Sequence, residues 1–130
     1  MNVKAMSDLG SRFDADDVRL LVDIGFMTQS RGLIAQSARI FDGVAVLRPD
    51  QEAGMIGRAL CDLHQGDFAA AIKRLRAAPP TDSARLFLGM ALARSGDRED
   101  AARVLTNVVD TALNRSTAEL AQGLLQSLGA

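Results

Sequence analysis

Residues Gly25–Phe41, GFMTQSRGLIAQSARIF, carry the pattern that decides the fold. The stretch has a small residue, then six residues and a glycine, then a small residue five positions on and a large apolar residue four beyond that. The same order recurs in Ala59–Leu75, ALCDLHQGDFAAAIKRL, and in Gly89–Leu105, GMALARSGDREDAARVL. A supersecondary unit repeated at this period is the signature of stacked helical hairpins.

Each feature of the pattern has a physical reason. A glycine between two helical stretches makes a tight turn at little steric cost. These turn glycines lie 34 and 30 residues apart. They are Gly32, Gly66 and Gly96. Small residues let paired helices approach closely, and large apolar residues fill the adjacent space. The small ones are Ser37, Ala71 and Ala101, and the large ones are Phe41, Leu75 and Leu105.

The periodicity predicts an all-α fold of three helical hairpins and a C-terminal capping helix. We expect an N-terminal segment at 1–14, repeats at 15–49, 50–80 and 81–113, and the capping helix at 115–130. The seven helices are predicted near 15–30, 33–47, 50–65, 67–78, 82–95, 97–112 and 117–128. Pro49 is expected at the start of the third helix. Ser116 and Glu119 are expected to form a capping box, followed by an apolar stripe of Leu120, Leu124 and Leu128.

The amino-acid composition excludes several classes of protein. A chain of 130 residues predicts one domain, 1–130, and 48% hydrophobic residues exclude a disordered chain. A net charge of −1 argues against a nucleic-acid binder, which is normally basic. The single cysteine, Cys61, cannot form an internal disulfide. The start has no apolar stretch typical of a signal peptide, so we expect a soluble cytoplasmic protein.

At these positions the chain resembles the tetratricopeptide repeat (TPR), a helix-turn-helix unit of about 34 residues. The resemblance covers roughly 18–113 and implies a TPR-like α-solenoid. It lacks the aromatic near the start of each unit and the tyrosine on the first helix. The matching positions are Leu21, Ile24, Gly25, Gly32, Phe41 and Pro49, then Ala59, Gly66, Phe68, Ala71 and Leu75, then Leu88, Gly89, Leu92, Gly96, Ala101 and Leu105.

Size and repeat number also make the chain similar to the small TPR-type chaperones of bacterial type III secretion. Val46–Pro49 and His64–Phe68 resemble short strings of the needle-subunit co-chaperones and plant-pathogen secretion proteins in that group. The resemblance implies a non-catalytic chaperone or adaptor without a cofactor. Its partner would be a secretion component, such as a needle subunit with a small helical co-chaperone. The sequence does not distinguish needle from translocator cargo.

In the TPR architecture, the first helix of each unit lines a concave groove. Carried over by repeat position, the partner-binding residues would be Arg19, Val22, Phe26, Gln29, Ala53, Ile56, Leu60, Leu63, Ser83, Leu86, Met90 and Arg94. Val22 and Phe26 stand where a clamp for a terminal carboxylate would need Lys and Asn. The set is mainly apolar, which suits one face of an amphipathic helix.

Three alternatives stay open. The apolar faces could bind another copy of the chain, in which case Phe26→Glu or Leu60→Glu would give a monomer. The groove could be filled by the chain's own termini, with Met6, Leu9 and Phe13 as a docking segment. Cys61 and His64 could be a nucleophile and its base or half of a zinc site, but no third group or further Cys or His accompanies them.

Overall fold

The computed structural model describes residues 12–129, and this part of the chain is all-α. Its helices are α1 (Ala15–Ser30), α2 (Ile34–Leu47), α3 (Ala53–His64), α4 (Phe68–Ala77), α5 (Asp82–Ser95), α6 (Arg98–Thr111) and α7 (Arg115–Ser127). The chain divides into two units, Met1–Gln65 and Gly66–Ala130. The first contains α1 to α3 and the second contains α4 to α7.

Local chemistry explains where the helices begin and turn. The side chains of Asp14, Asp67 and Asp97 accept hydrogen bonds from the backbone three residues on, which satisfies donors that the first turn leaves free. Asp14 and Asp17 form a reciprocal capping box. The turn glycines have left-handed backbones, as predicted from the repeat. Their φ angles are 80° at Gly32, 77° at Gly66 and 91° at Gly96.

Phe41 organises the first unit. Its ring is fully buried between the backbones of Gly25 on α1 and Gly57 on α3. A Cβ atom at Gly25 would lie 2.7 Å from the ring, and one at Gly57 would lie 2.2 Å from it. Gly54 similarly lets α3 approach Ala45 of α2. The close crossings need glycine because any side chain would occupy the space of the neighbouring helix.

The second unit contains a similar close contact, here between a glycine and an aliphatic side chain. A Cβ atom at Gly89 on α5 would lie 2.5 Å from the side chain of Leu105 on α6. Leu105 belongs to a buried cluster with Leu86, Val108 and Ala121, and the last of these comes from α7. Partly buried Leu124, Leu125 and Leu128 of α7 also pack against this cluster. The C-terminal helix therefore covers apolar surface of the α5–α6 hairpin.

One predicted helix start and one predicted helix cap are wrong. The third helix begins at Ala53 rather than near 50, because Gln51 N–H donates to Arg48 O in a turn that contains Pro49. The last helix begins at Arg115, where the predicted capping segment 115–130 begins and two residues before the helix start predicted near 117. Its cap is Asn114, whose side chain accepts from Thr117 N–H at 3.1 Å, so the predicted Ser116–Glu119 capping box does not form.

The predicted apolar stripe of α7 is also partly wrong. Leu120 is 60% exposed, whereas Ala121 is fully buried. The face that packs against α5 and α6 contains Ala121, Leu124, Leu125 and Leu128. Because a helix has about 3.6 residues per turn, residues spaced four apart lie progressively further around the helix axis. A row with that spacing therefore coincides with the buried face over only part of the helix.

Asp82 joins the start of α5 to the loop between α6 and α7. Its carboxylate accepts from Arg85 Nη2 at 2.7 Å and from the backbone N–H groups of Leu113 at 2.8 Å and Asn114 at 3.3 Å. The hydrogen bond from Arg85, followed by that from Leu113, lowers the pKa of Asp82 below its ordinary value. These donors all favour the charged carboxylate.

We predict that Gly57→Ala and Gly43→Ala have opposite effects on stability. The methyl at 57 would overlap the Phe41 ring, and overpacking of this kind costs about 1–3 kcal/mol. A Cβ at Gly43 meets nothing within 4 Å, so alanine there should stabilise α2 by about 0.5–1 kcal/mol. Urea unfolding measures both changes. Equal effects at the two positions would contradict the packing described for Phe41.

We also predict that Asp82 makes stability depend on acid pH. Because its folded-state pKa lies below the ordinary 3.8, its stabilisation is complete above that pH and is lost as the pH falls through the folded-state value. Asp82→Asn should therefore flatten the fall in melting temperature below pH 4. The control is Asp110→Asn, an exposed aspartate on α6. An unchanged acid slope in Asp82→Asn would count against this link.

Candidate partner-binding surface

One side of α1 lines a cavity in the first unit, which we call the α1–α3 cavity. Its volume is about 240 Å³. It is lined by Ala15, Val18, Arg19, Val22, Arg48, Gln51 and Ala53. The α1 residues recur at helical spacing on one side, and the others come from the α2–α3 loop and the first residue of α3. Aliphatic side chains and alkyl stems therefore form its wall, with two guanidinium groups among the lining residues.

The cavity brings together three of the residues predicted from the repeat. Arg19 is exposed, and Val22 and Ala53 are half-buried. Arg19 makes an ion pair of 3.5 Å with Asp16, and because both side chains are exposed this pair adds little stability. Sequence reasoning missed Arg48, which lies in a loop where no helical period marks it. Its guanidinium donates to the backbone carbonyls of Leu47 and Phe13, which fixes it beside the cavity.

Phe26 is the predicted site residue with the most exposed apolar surface. It is 39% exposed, and its ring contacts Phe41 edge to face with 4.8 Å between the centroids. The residue thus supports the core on one side and presents apolar area on the other. A charge at position 26 would disturb the packing of Phe41 as well as any partner contact, so Phe26→Glu is a poor test of binding.

Other predicted site residues of the first unit are used mainly inside it. Gln29 is 7% exposed, and Ile56 and Leu63 are each 5% exposed. Leu60 is half-buried. Side chains with so little free surface hold the helices together and offer a partner almost no area.

Gln29 belongs to a buried polar network across the three helices of the first unit. Its amide donates to Gly57 O at 3.3 Å and to Cys61 Sγ at 3.2 Å. The Cys61 thiol donates to Ser37 Oγ at 3.3 Å, and the Ser37 hydroxyl donates to Gly25 O at 2.8 Å. Serine in place of the usual alanine of the repeat thus completes a chain of hydrogen bonds, which removes the cost of burying these polar groups.

The second unit contains the remaining predicted site residues. Ser83 and Met90 are half-buried on α5, Arg94 is exposed near its end, and Leu86 is buried in the α5–α6–α7 cluster. Ser83 lines a separate hollow of about 470 Å³ with Pro80, Thr81, Asp82, Leu113, Asn114 and Thr117. The polar lining of this hollow includes the groups that join Asp82 to the loop before α7.

The residues weighed for catalysis or metal binding do not converge. Cys61 is fully buried and contacts Ser37 and Gln29, whereas His64 is exposed. Within residues 12–129, no three His, Cys, Asp or Glu side chains group as metal ligands. No helix in that range combines the length and apolarity needed to cross a bilayer. Of the predicted docking segment, Met6 and Leu9 lie outside the described residues, and Phe13 is half-buried.

Comparison with solved structures identifies the fold. The type III secretion translocator chaperone SycD of Yersinia enterocolitica is similar with a TM-score of 0.78 and 15% identity, over 88% of this chain and 91% of that one. SycD in complex with a peptide of the translocator YopD gives 0.73 and 16%, over 89% and 95%. A type III secretion complex from Aeromonas hydrophila gives 0.73 and 18%, over 89% and 83%.

The chain therefore has the SycD-like TPR fold predicted from its repeat. No family model matches the sequence, and no curated protein sequence matches it. The structural similarity is to chaperones of type III secretion, at identities that show the fold alone.

We predict that Cys61 reacts with thiol reagents only after the first unit opens. The thiol is fully buried and bonded within the network, so labelling of the folded protein should be slow. Cys61→Ser provides the unlabelled control. Labelling should speed up across the urea unfolding transition, as followed by mass spectrometry. Fast labelling of the folded chain would contradict the burial of this residue.

Proposed function

We propose that this protein is a non-catalytic chaperone of a bacterial type III secretion system and acts in the cytoplasm. Its task would be to hold an amphipathic helix of a secretion component, such as a needle subunit, and so keep an aggregation-prone polypeptide soluble. The observation that carries the proposal is the α1–α3 cavity together with the partly exposed Phe26, which lies four residues after the cavity-lining Val22 on the same helix. Cavity and ring together offer apolar surface with a concave shape, as recognition of a helix requires.

The chemistry of the cavity favours a particular kind of occupant. Val22, Val18 and Ala53 would receive an aliphatic side chain. Arg19 and Arg48 lie at the same cavity, so an acidic residue beside that apolar anchor would be favoured. The half-buried residues of α5, Ser83 and Met90, are further contact candidates within the second unit.

The comparison adds support from a protein of the same fold. SycD has been crystallised with a peptide of the translocator YopD, so this fold can bind a secretion substrate. That precedent makes a translocator the second candidate for the cargo. In either case the bound segment would lose its own conformational freedom, which offsets part of the binding energy.

Partner binding is predicted to depend on Val22. Val22→Glu would place a charge against the apolar wall of the α1–α3 cavity, and co-purification of the needle subunit or translocator co-expressed from the same organism should fall at least about tenfold. Leu20→Glu is the matched control, since Leu20 lies on the same helix, is 59% exposed and does not line the cavity. Equal binding by both variants would contradict the proposed site. Failure of every secretion candidate to co-purify with the unmodified chain would contradict the function itself.

A further inference from the structure

Two arginines line the α1–α3 cavity, and the structure holds them in different ways. Arg19 pairs with Asp16 at 3.5 Å, but these side chains are 73% and 87% exposed, so the pair restricts the guanidinium of Arg19 little. Arg48 is half-buried, and its guanidinium donates to the backbone carbonyls of Leu47 and Phe13. The two cations at the cavity are therefore not equivalent.

The backbone of Arg48 is itself fixed in the turn between α2 and α3. Its N–H donates to Val44 O at 2.9 Å, and its C=O accepts from Gln51 N–H at 3.2 Å. An arginine side chain carries five N–H donors in a planar fork, so it can bond two carbonyls at once in one orientation. A side chain that starts from a fixed backbone and ends on two carbonyls forms a rigid link.

This link joins the two walls of the α1–α3 cavity. Phe13 directly precedes Asp14, the capping residue of α1. The first turns of α1, with Ala15 and Val18, form one wall. The α2–α3 loop and the first residue of α3 form the other wall. Because Arg48 belongs to the loop and bonds the residue before the cap, it connects the walls between which an occupant would lie.

We propose that Arg48 is a positioning residue of the cargo site, which fixes the distance between the two walls, whereas Arg19 meets the charge of the cargo. This inference rests on the proposed function, because it concerns the same cavity. Walls that are fixed before binding lose less conformational freedom in the complex, so Arg48 raises affinity through the shape of the cavity. Arg19 can turn toward an acidic cargo residue, since leaving its exposed pair with Asp16 costs little.

Substitution by lysine separates these two roles. Lysine keeps the positive charge but has one ammonium group on a flexible stem, so it does not reproduce the fork that bonds two carbonyls. Arg48→Lys should therefore weaken binding about tenfold, nearly as much as Arg48→Met. At position 19 charge is what matters, so the loss should be smaller in Arg19→Lys than in Arg19→Gln, which should also lose most of the salt dependence of binding.

The affinity is measured by calorimetric titration of the full chain with the purified needle subunit from the same organism, or with the translocator where the needle subunit does not bind. The urea unfolding midpoint of each variant is measured beside it. The midpoint of Arg48→Lys should stay close to that of the unmodified chain, because the contacts of Phe41 and the hydrogen bonds of Gln29 still hold α1. A loss of affinity without a loss of global stability is the result expected of a positioning residue.

Amide hydrogen exchange reports the position of the α1 wall in the free protein. The Val18 N–H donates to Asp14 O at 3.1 Å, and its exchange should be at least about threefold faster in Arg48→Lys and Arg48→Met. The control is the Ala101 N–H, which makes the equivalent first-turn bond to Asp97 O at 3.0 Å on α6 and should exchange as before.

Two results would overturn the proposal. One is an affinity of Arg48→Lys equal to that of the unmodified chain, because charge alone would then explain the role of Arg48. The other is an unchanged exchange rate of the Val18 amide in Arg48→Met. If the unmodified chain binds neither secretion subunit, the proposed function fails, whereas the Val18 exchange rate still shows whether Arg48 fixes the wall. The two failures are therefore distinguishable.

Discussion

The contact of Phe41 with two glycine backbones is the constraint on which the first unit depends. The ring comes from α2 and is enclosed by Gly25 of α1 and Gly57 of α3, so one side chain sets the distance between three helices. Both neighbours of the ring are glycines. A residue larger than Phe41 would therefore meet helix backbone, which has no flexible group that could move aside. Phe26 closes the arrangement through its edge-to-face contact. Rigid placement of α1 then gives a fixed shape to the α1–α3 cavity.

This constraint separates α1 into surfaces with different roles. One side is buried by Phe41 and by the hydrogen bonds of Gln29 and Ser37. The adjacent side lines the cavity, and the side that carries Leu20, Ile24 and Met27 is exposed. An amphipathic helix of a monomeric domain needs only one apolar side. The additional apolar side chains of α1 are the surface on which the proposed chaperone function rests.

Much of the fold could be predicted from the sequence because the repeat residues act locally. Turn glycines such as Gly32 need a left-handed backbone. Residues such as Ser37 and Leu105 are small or large at fixed distances from those glycines. The spacing of these residues therefore identifies each hairpin without reference to the rest of the chain. The start of α3 and the cap of α7 could not be predicted as well. Each depends on a single hydrogen bond, one in the turn at Arg48 and one at the cap Asn114. The sequence contains equally plausible helix-start signals at Pro49 and Ser116.

The site was harder to predict than the fold. Repeat position alone identifies which side of a helix a residue occupies, so it found Val22 and Ala53 together at the cavity. It could not show that Gln29, Ile56 and Leu63 are buried, because burial depends on how closely neighbouring helices pack. The exposed apolar side of α1 was visible in the sequence only as an unusually broad distribution of apolar residues around the first helix. The spacing of Leu20, Ile24 and Met27 was the signal that could have assigned it to one side.

The most direct test of the central claim, that the partner helix binds the cavity side of α1, is a methyl NMR titration of the protein with a purified needle subunit. The account predicts that the methyl signals of Val22 and Ala53 shift or broaden in proportion to the added subunit. The signal of Val46, on α2, should remain in place. Saturating binding that leaves Val22 and Ala53 unperturbed would contradict the account.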